Sequence, residues 1–151
     1  MALSQTLTTS FKVEILDGIH NFGTGVVRAT TAADTFKIAL YSTLASLDST
    51  TTVYSTTEEV TGTGYTAGGN TLVISQAPTS TNTETIAWLN FENSSWANAS
   101  FSAAGALIYN STQGNKAVAV LNFGGTKTVS NQTFTVTFPA STSSAAIIRI
   151  T

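Results

Sequence analysis

Short alternating apolar runs, broken at intervals by Gly, Asn, Ser or Pro, occupy much of the chain from Thr35 onward, and this pattern constrains the fold more than any other feature. The stretch Thr35-Phe36-Lys37-Ile38-Ala39-Leu40-Tyr41 sets the type. Phe36, Ile38 and Leu40 fall on one side, Lys37, Ala39 and Tyr41 on the other, a period of two that belongs to a strand with unequal faces. Further strands are expected at Thr71 to Gln76, Glu84 to Phe91, Ser100 to Ala104, Ala106 to Asn110, Lys116 to Phe123, Thr133 to Phe138 and Ala145 to Ile150. The runs Ala117 to Leu121 and Ala145 to Ile150 alternate less, as strands covered on both faces do. Pro139 closes the 133–138 run, because proline has no N–H to give to a ladder.

Ahead of these strands, Ser10 is placed to cap a short helix over 11–17 stopped by Gly18, with Phe11, Ile15 and Ile19 on one face. Residues 21–34 read as a connection with a short extended piece at Val26-Val27. Residues 42–70 are polar and Thr-rich and too long for a hairpin loop, so they form an excursion, with a helical turn expected near Thr52 to Val60. No fixed repeat period occurs, which excludes a solenoid or a propeller. The expected fold is mainly β: an antiparallel β-sandwich, jelly-roll-like, with a short N-terminal helix. It is read as one domain over 1–151, with 1–34 as arm and helix and 35–151 as the sandwich body.

Composition narrows the function. Only 9% of the 151 residues are charged, against about a quarter in an ordinary soluble domain, while 42% are hydrophobic. A core can form, disorder is excluded, and the polar surface must consist of hydroxyls and amides rather than ions. With six Lys and Arg scattered along the chain and a net charge of -2, there is no basic footprint for nucleic acid or anionic lipid. Without cysteine there is no disulfide frame and no thiolate zinc site. No signal peptide or membrane-spanning run is read in the sequence. A nearly neutral surface tolerates close approach by copies of itself or by a partner.

Residues that could carry chemistry are few. His20 is the sole histidine, no Gly-x-Ser-x-Gly elbow accompanies it, and a cation at a helix end is its expected role. Glu58-Glu59 are adjacent, Glu84 and Glu92 flank a strand, and no glycosidase pair can be argued. No Asp-x-Asp-x-Asp calcium loop is present. Gly62 to Gly69 lacks the Lys-Ser/Thr end of a phosphate loop and reads as turn chemistry, with Tyr65 packing on the body or on a neighbouring copy. Sequons at Asn93, Asn98, Asn110 and Asn131 are what a Ser- and Thr-rich chain contains by composition. Trp88, Trp96, Tyr54, Tyr65 and Tyr109 could stack on a sugar, but large aromatics more often fill cores or interfaces. Trp96, in an expected turn at 93–99, is the one expected to be exposed. No catalytic residue, cofactor or metal is assigned, and Tyr65, Trp96 and Tyr109 are the interface candidates.

Several segments together resemble a recurring small virion protein of tailed bacteriophages. They are Phe11-Lys12 with His20-Asn21-Phe22, the strand Thr35 to Tyr41, Glu59-Val60-Thr61-Gly62-Thr63-Gly64-Tyr65-Thr66-Ala67-Gly68-Gly69, Trp96 to Phe101, Gly105 to Asn110, Ala117 to Gly125, Phe134 to Pro139 and Ala146 to Ile150. They cover most of the chain, and Gly62 to Gly69 is the most specific. The resemblance implies a structural protein of the particle, most often a capsid decoration or cement protein, and brings no catalytic residues. Its expected partners are the major capsid protein and further copies of itself, a trimer being the favoured oligomer. Its expected place is the outer capsid surface, after synthesis in the cytoplasm of a bacterial host. A receptor- or carbohydrate-binding module on a tail or head fibre is the alternative, and an enzyme a third reading.

Overall fold

The computed structural model describes residues 3–8, 11, 15, 19–24, 33–80 and 86–150. Eight strands follow in order: β1 (Thr6–Leu7), β2 (Phe36–Tyr41), β3 (Asn70–Thr71), β4 (Ile74–Ser80), β5 (Ala87–Phe91), β6 (Ser94–Asn110), β7 (Lys116–Val136) and β8 (Ile148–Ile150). One sheet has the order β1-β7-β6-β2-β3 and the other β4-β5-β8, with every pairing antiparallel. The molecule is mainly β, as expected, and its two sheets are consistent with a sandwich. Among the described residues no helix is long and apolar enough to cross a membrane.

The faces of β2 explain the layering. Phe36, Ile38 and Leu40 join Ala106, Ile108 and Val118 in a core closed from the other side by Leu89, Phe91 and Ile148 of the small sheet. Ala39 and Tyr41 join Leu107, Tyr109, Ala117 and Val120 in a second core, roofed by Ala45 and Leu47 with Tyr54 packed against it. Both faces of the central sheet are therefore buried where β2 lies, and the 42–60 stretch of the excursion supplies the second cover. This is why Gly105 to Asn110 reads as continuous apolar sequence without alternation.

Three expectations are corrected. The pieces Ser100–Ala104 and Ala106–Asn110 are one strand, β6, because Gly105 does not end it. A Cβ there would stand 2.5 Å from the Leu121 carbonyl oxygen and 2.6 Å from Leu3 Cδ1, so glycine permits close packing rather than a break. Likewise 116–123 and 133–138 merge into β7. Its polar middle remains in the ladder because one face there is solvated, and the strand absorbs the mismatch in bulges: Phe123 to Thr126 oppose Ala104 alone, between the pairs Ala103↔Lys127 and Gly105↔Asn122. The helical turn near 52–60 is absent. One local bond, Glu59 N–H to Thr56 at 3.2 Å, closes a tight turn with Glu58 at φ +61°, and other backbone groups bond outward, Tyr54 N–H to Asn115 at 2.9 Å, Ser42 N–H to Glu58 at 3.0 Å and Val60 N–H to Leu40 at 2.9 Å.

The expected strand at Thr71 to Gln76 divides into β3 and β4, and those at Glu84 and Ala145 begin later, at Ala87 and Ile148. Of the expected helix over 11–17, Phe11 and Ile15 are described, and both pack on the core. The remainder, with its Ser10 cap and Gly18 stop, lies outside the described residues, as does Val26-Val27. The hydroxyl that accepts the Phe11 N–H, at 3.2 Å, belongs to Thr8.

Candidate functional site

The densest polar constellation is built on Glu59. This carboxylate accepts the Tyr65 hydroxyl at 2.6 Å and the Gly68 N–H at 2.7 Å on Oε1, and the Tyr54 hydroxyl at 2.7 Å on Oε2. Tyr65 Oη in turn accepts the Leu40 N–H at 2.9 Å, and Tyr109 donates to the Gly68 carbonyl at 2.8 Å. Tyr41 donates to Ser55 O at 2.6 Å, and the rings of Tyr54 and Tyr109 stack with centroids 4.6 Å apart. All four tyrosines of the chain thus gather around one acid.

Burial, reinforced by the charge of Glu59, pushes the Tyr109 phenol up to about 12 and also raises Tyr41, Tyr54 and Tyr65, keeping them protonated donors. Gly69 turns the chain back at φ +66°, with its Cα pressed on the Ile38 carbonyl so that no Cβ fits. The arrangement fastens the excursion to β2 and β6. It offers a firm support for loops, since its donors are spent on the carboxylate and on backbone.

The three interface candidates lie inside this body. Tyr65 is half-buried against Trp96 and Phe101, Tyr109 is buried beneath Tyr54, and Trp96 is 4% exposed in β6, contrary to its expected place in an open turn. The bulge that follows it, with Asn98 at φ +50°, is what resembled a turn. Tyr54, Tyr65, Trp88 and Phe123 are half-buried, and Trp88 lines a depression of about 550 Å³ together with Phe22, Pro78, Leu89 and Ile148.

The helix end expected beside His20 lies outside the described residues; the imidazole itself is enclosed. It is buried edge-on to Phe11, with ring centroids 4.9 Å apart, and its Nδ1 lies 3.1 Å from Asn110 Nδ2. That amide donates to Asp34 Oδ2 at 2.7 Å, and Gln113 donates to Asp34 Oδ1 at 3.2 Å. The network ties the N-terminal arm to the β6–β7 turn. Among the described residues no group of three His, Asp or Glu side chains could hold a metal ion.

Four large apolar side chains are exposed among the described residues: Leu44, Val53, Val73 and Ile150. Leu44, 66% exposed, and Val53, 47%, stand beside a shallow depression of about 520 Å³ on the excursion, ringed by Ser, Thr and Glu58. A second groove, about 510 Å³, runs beside β7 and is lined by Leu121, Phe123, Phe134, Val136, Phe138 and Ile147. Sequence reasoning missed both. Leu44 and Val53 are isolated apolar residues in polar surroundings, and that isolation was their only signal. No family model, curated protein or solved structure matches the chain.

Proposed function

We propose that the protein is a structural component of a tailed-phage particle, a decoration (cement) protein that binds the outer capsid surface as an oligomer and bridges neighbouring capsomers. The observation that carries this reading is the pairing of exposed Leu44 and Val53 with a firmly tied base, the tyrosines on Glu59. A cement protein gains from many small contacts repeated over a symmetric shell, and contacts on pre-ordered loops lose less conformational entropy on binding. Glu58 lines the same depression and Asp48 is near in sequence; the other polar groups lining it are hydroxyls, which limits the cost of laying the patch on another protein. The resemblance carried by Gly62 to Gly69 supports the same reading, since that segment forms part of the tied base. The reading assigns no catalytic residue, cofactor or metal. The fibre-borne sugar-binding alternative would use half-buried Trp88 in its depression, and glycan binding abolished by Trp88→Ala would favour it.

Two measurements test it. Quantified particles are expected to hold the protein in copy numbers comparable with those of capsomers; a few copies, or recovery only with detached tails, overturns the proposal. Leu44→Asp with Val53→Asp is expected to weaken binding to decoration-free shells at least about tenfold while leaving the melting temperature in place, because burying one such side chain contributes about 1.5–3 kcal/mol. Unchanged shell binding removes the patch from the interface.

A further inference from the structure

We infer that the outer edge of β7, centred on Phe134, pairs antiparallel with the same edge of a second copy of this chain, continuing the five-stranded sheet across a two-fold axis. The inference gives the self-association in the proposed function a surface and rests on that part of it alone.

β7 is paired along one side by β6 between Lys116 and Val136, with interruptions at the bulges, the longest at 123–126. On its other side, Val53 bridges Lys116, Thr8 N–H reaches Val118 O, and β1 covers Ala119 and Val120. Beyond Val120 no strand among the described residues continues that side. Among the described residues, therefore, no strand pairs with the outward backbone groups from Phe123 to Val136, and only the Gly124 N–H is taken up locally, by Asn122 Oδ1 at 2.9 Å. Such an edge is a template for another strand unless charge, proline or a bulge guards it.

The guards here are unevenly placed. Lys127 and the bulge at Asn131, φ +51°, protect the first part of the edge. From Gln132 to Val136 there is neither a charge nor a proline, and the bulge opposite Thr133 lies on β6, at Ala97 and Asn98, so it adds no residue to this edge; five residues is an ordinary strand length. Beside this segment runs the groove of about 510 Å³, where Phe123 is only half-buried; Phe134, Val136 and Phe138 line it, with Lys127 and Pro139 also on its wall. An edge with unpaired backbone groups and a largely apolar trough alongside has the two parts of strand addition, ladder bonds for affinity and a trough for side chains.

The second copy is the occupant that the chemistry favours. The incoming strand must be uncharged, free of proline and about five residues long, and Gln132 to Val136 meets each condition. An isologous contact also satisfies both copies' edges at once, with Thr133 of one copy opposite Thr135 of the other. The edge strands among the described residues serve less well: β1 and β3 have two residues each and β8 three, and β4 carries Pro78. The contact is two-fold, so it departs from the trimer expected from the sequence, unless a second surface builds the higher order.

The test uses the full chain in sedimentation or light scattering. Wild type is expected to form a dimer or an even-numbered assembly. Thr133→Lys with Thr135→Lys, both exposed positions, is expected to raise the dissociation constant at least about a hundredfold, as facing like charges cost several kcal/mol. Its β-sheet circular dichroism and melting temperature should stay those of an intact fold. The matching Thr133→Glu with Thr135→Glu variant should also be monomeric, and mixing the two should restore a mixed dimer. A wild type that is monomeric at all concentrations overturns the inference, as does an assembly, three-fold or otherwise, that these charges leave unchanged. Protection of residues 132–136 only after capsid shells are added also overturns it, since the occupant would then be the shell. Shell binding, measured separately, distinguishes failure of this inference from failure of the capsid reading: a monomeric wild type that still binds shells sinks the first alone.

Discussion

Glu59 follows Glu58 in sequence, and the two have opposite roles. Glu58 is exposed and takes a hydroxyl from Ser42 at 3.2 Å, whereas Glu59 holds two tyrosines and a backbone N–H. Hydrogen bonds to a charged acceptor contribute about 1.5–3 kcal/mol each when partly buried, and an amide at the same place introduces a donor facing donors. Glu59→Gln is expected to cost about 3 kcal/mol, lowering the melting temperature by about 10 °C. Glu58→Gln should change stability by less than about 0.5 kcal/mol. Equal effects in thermal unfolding would deny Glu59 its special place. The difference was not legible in the sequence, because Glu59 meets its partners only once Gly68 and Gly69 have turned the chain back onto Ile38. The four tyrosines are spaced irregularly along the chain, and nothing local marks them as neighbours.

At the scale of elements, β2 was legible almost to the residue because alternation is a local property. β6 and β7 were legible only in fragments. Their length is decided by pairing with each other across a turn at 111–115, and the bulges that keep them in register use Asn and Gly, the residues that otherwise signal turns. The glycines themselves divide by role. Gly69, at φ +66°, has the Ile38 carbonyl where a Cβ would stand, while Gly124, at φ +71°, has nothing within 4 Å. Gly124→Ala should cost about 1 kcal/mol of backbone strain, and Gly69→Ala at least about 3 kcal/mol, strain and clash together. Denaturant unfolding of the two variants checks the ranking, and a reversed order would mean that the tight return at Gly69 is not what holds the excursion.

For the whole molecule, the tyrosine cluster sets an alkaline limit. The ordinary phenol value is 10, and the folded Tyr109 value is about 12. Between these the unfolded chain releases the proton and the folded chain retains it, so the stabilisation from this group is complete below pH 10 and is lost as the pH rises to 12. Tyr41, Tyr54 and Tyr65 are raised too and act in the same direction. Unfolding followed by circular dichroism is expected to become progressively easier across that window, and flat stability through pH 12 would contradict the burial of these rings.

The two faces of the central sheet also differ in colour. Tyr41 and Tyr109, with Tyr54 against them, belong to the roofed face, and Trp96 belongs to the face covered by the small sheet. The layers therefore carry different natural chromophores, the Trp96 indole with Tyr65 on one side and the other three phenols on the other. Indole emission and phenol absorbance, followed together during denaturation, report which cover lifts first without any label being attached.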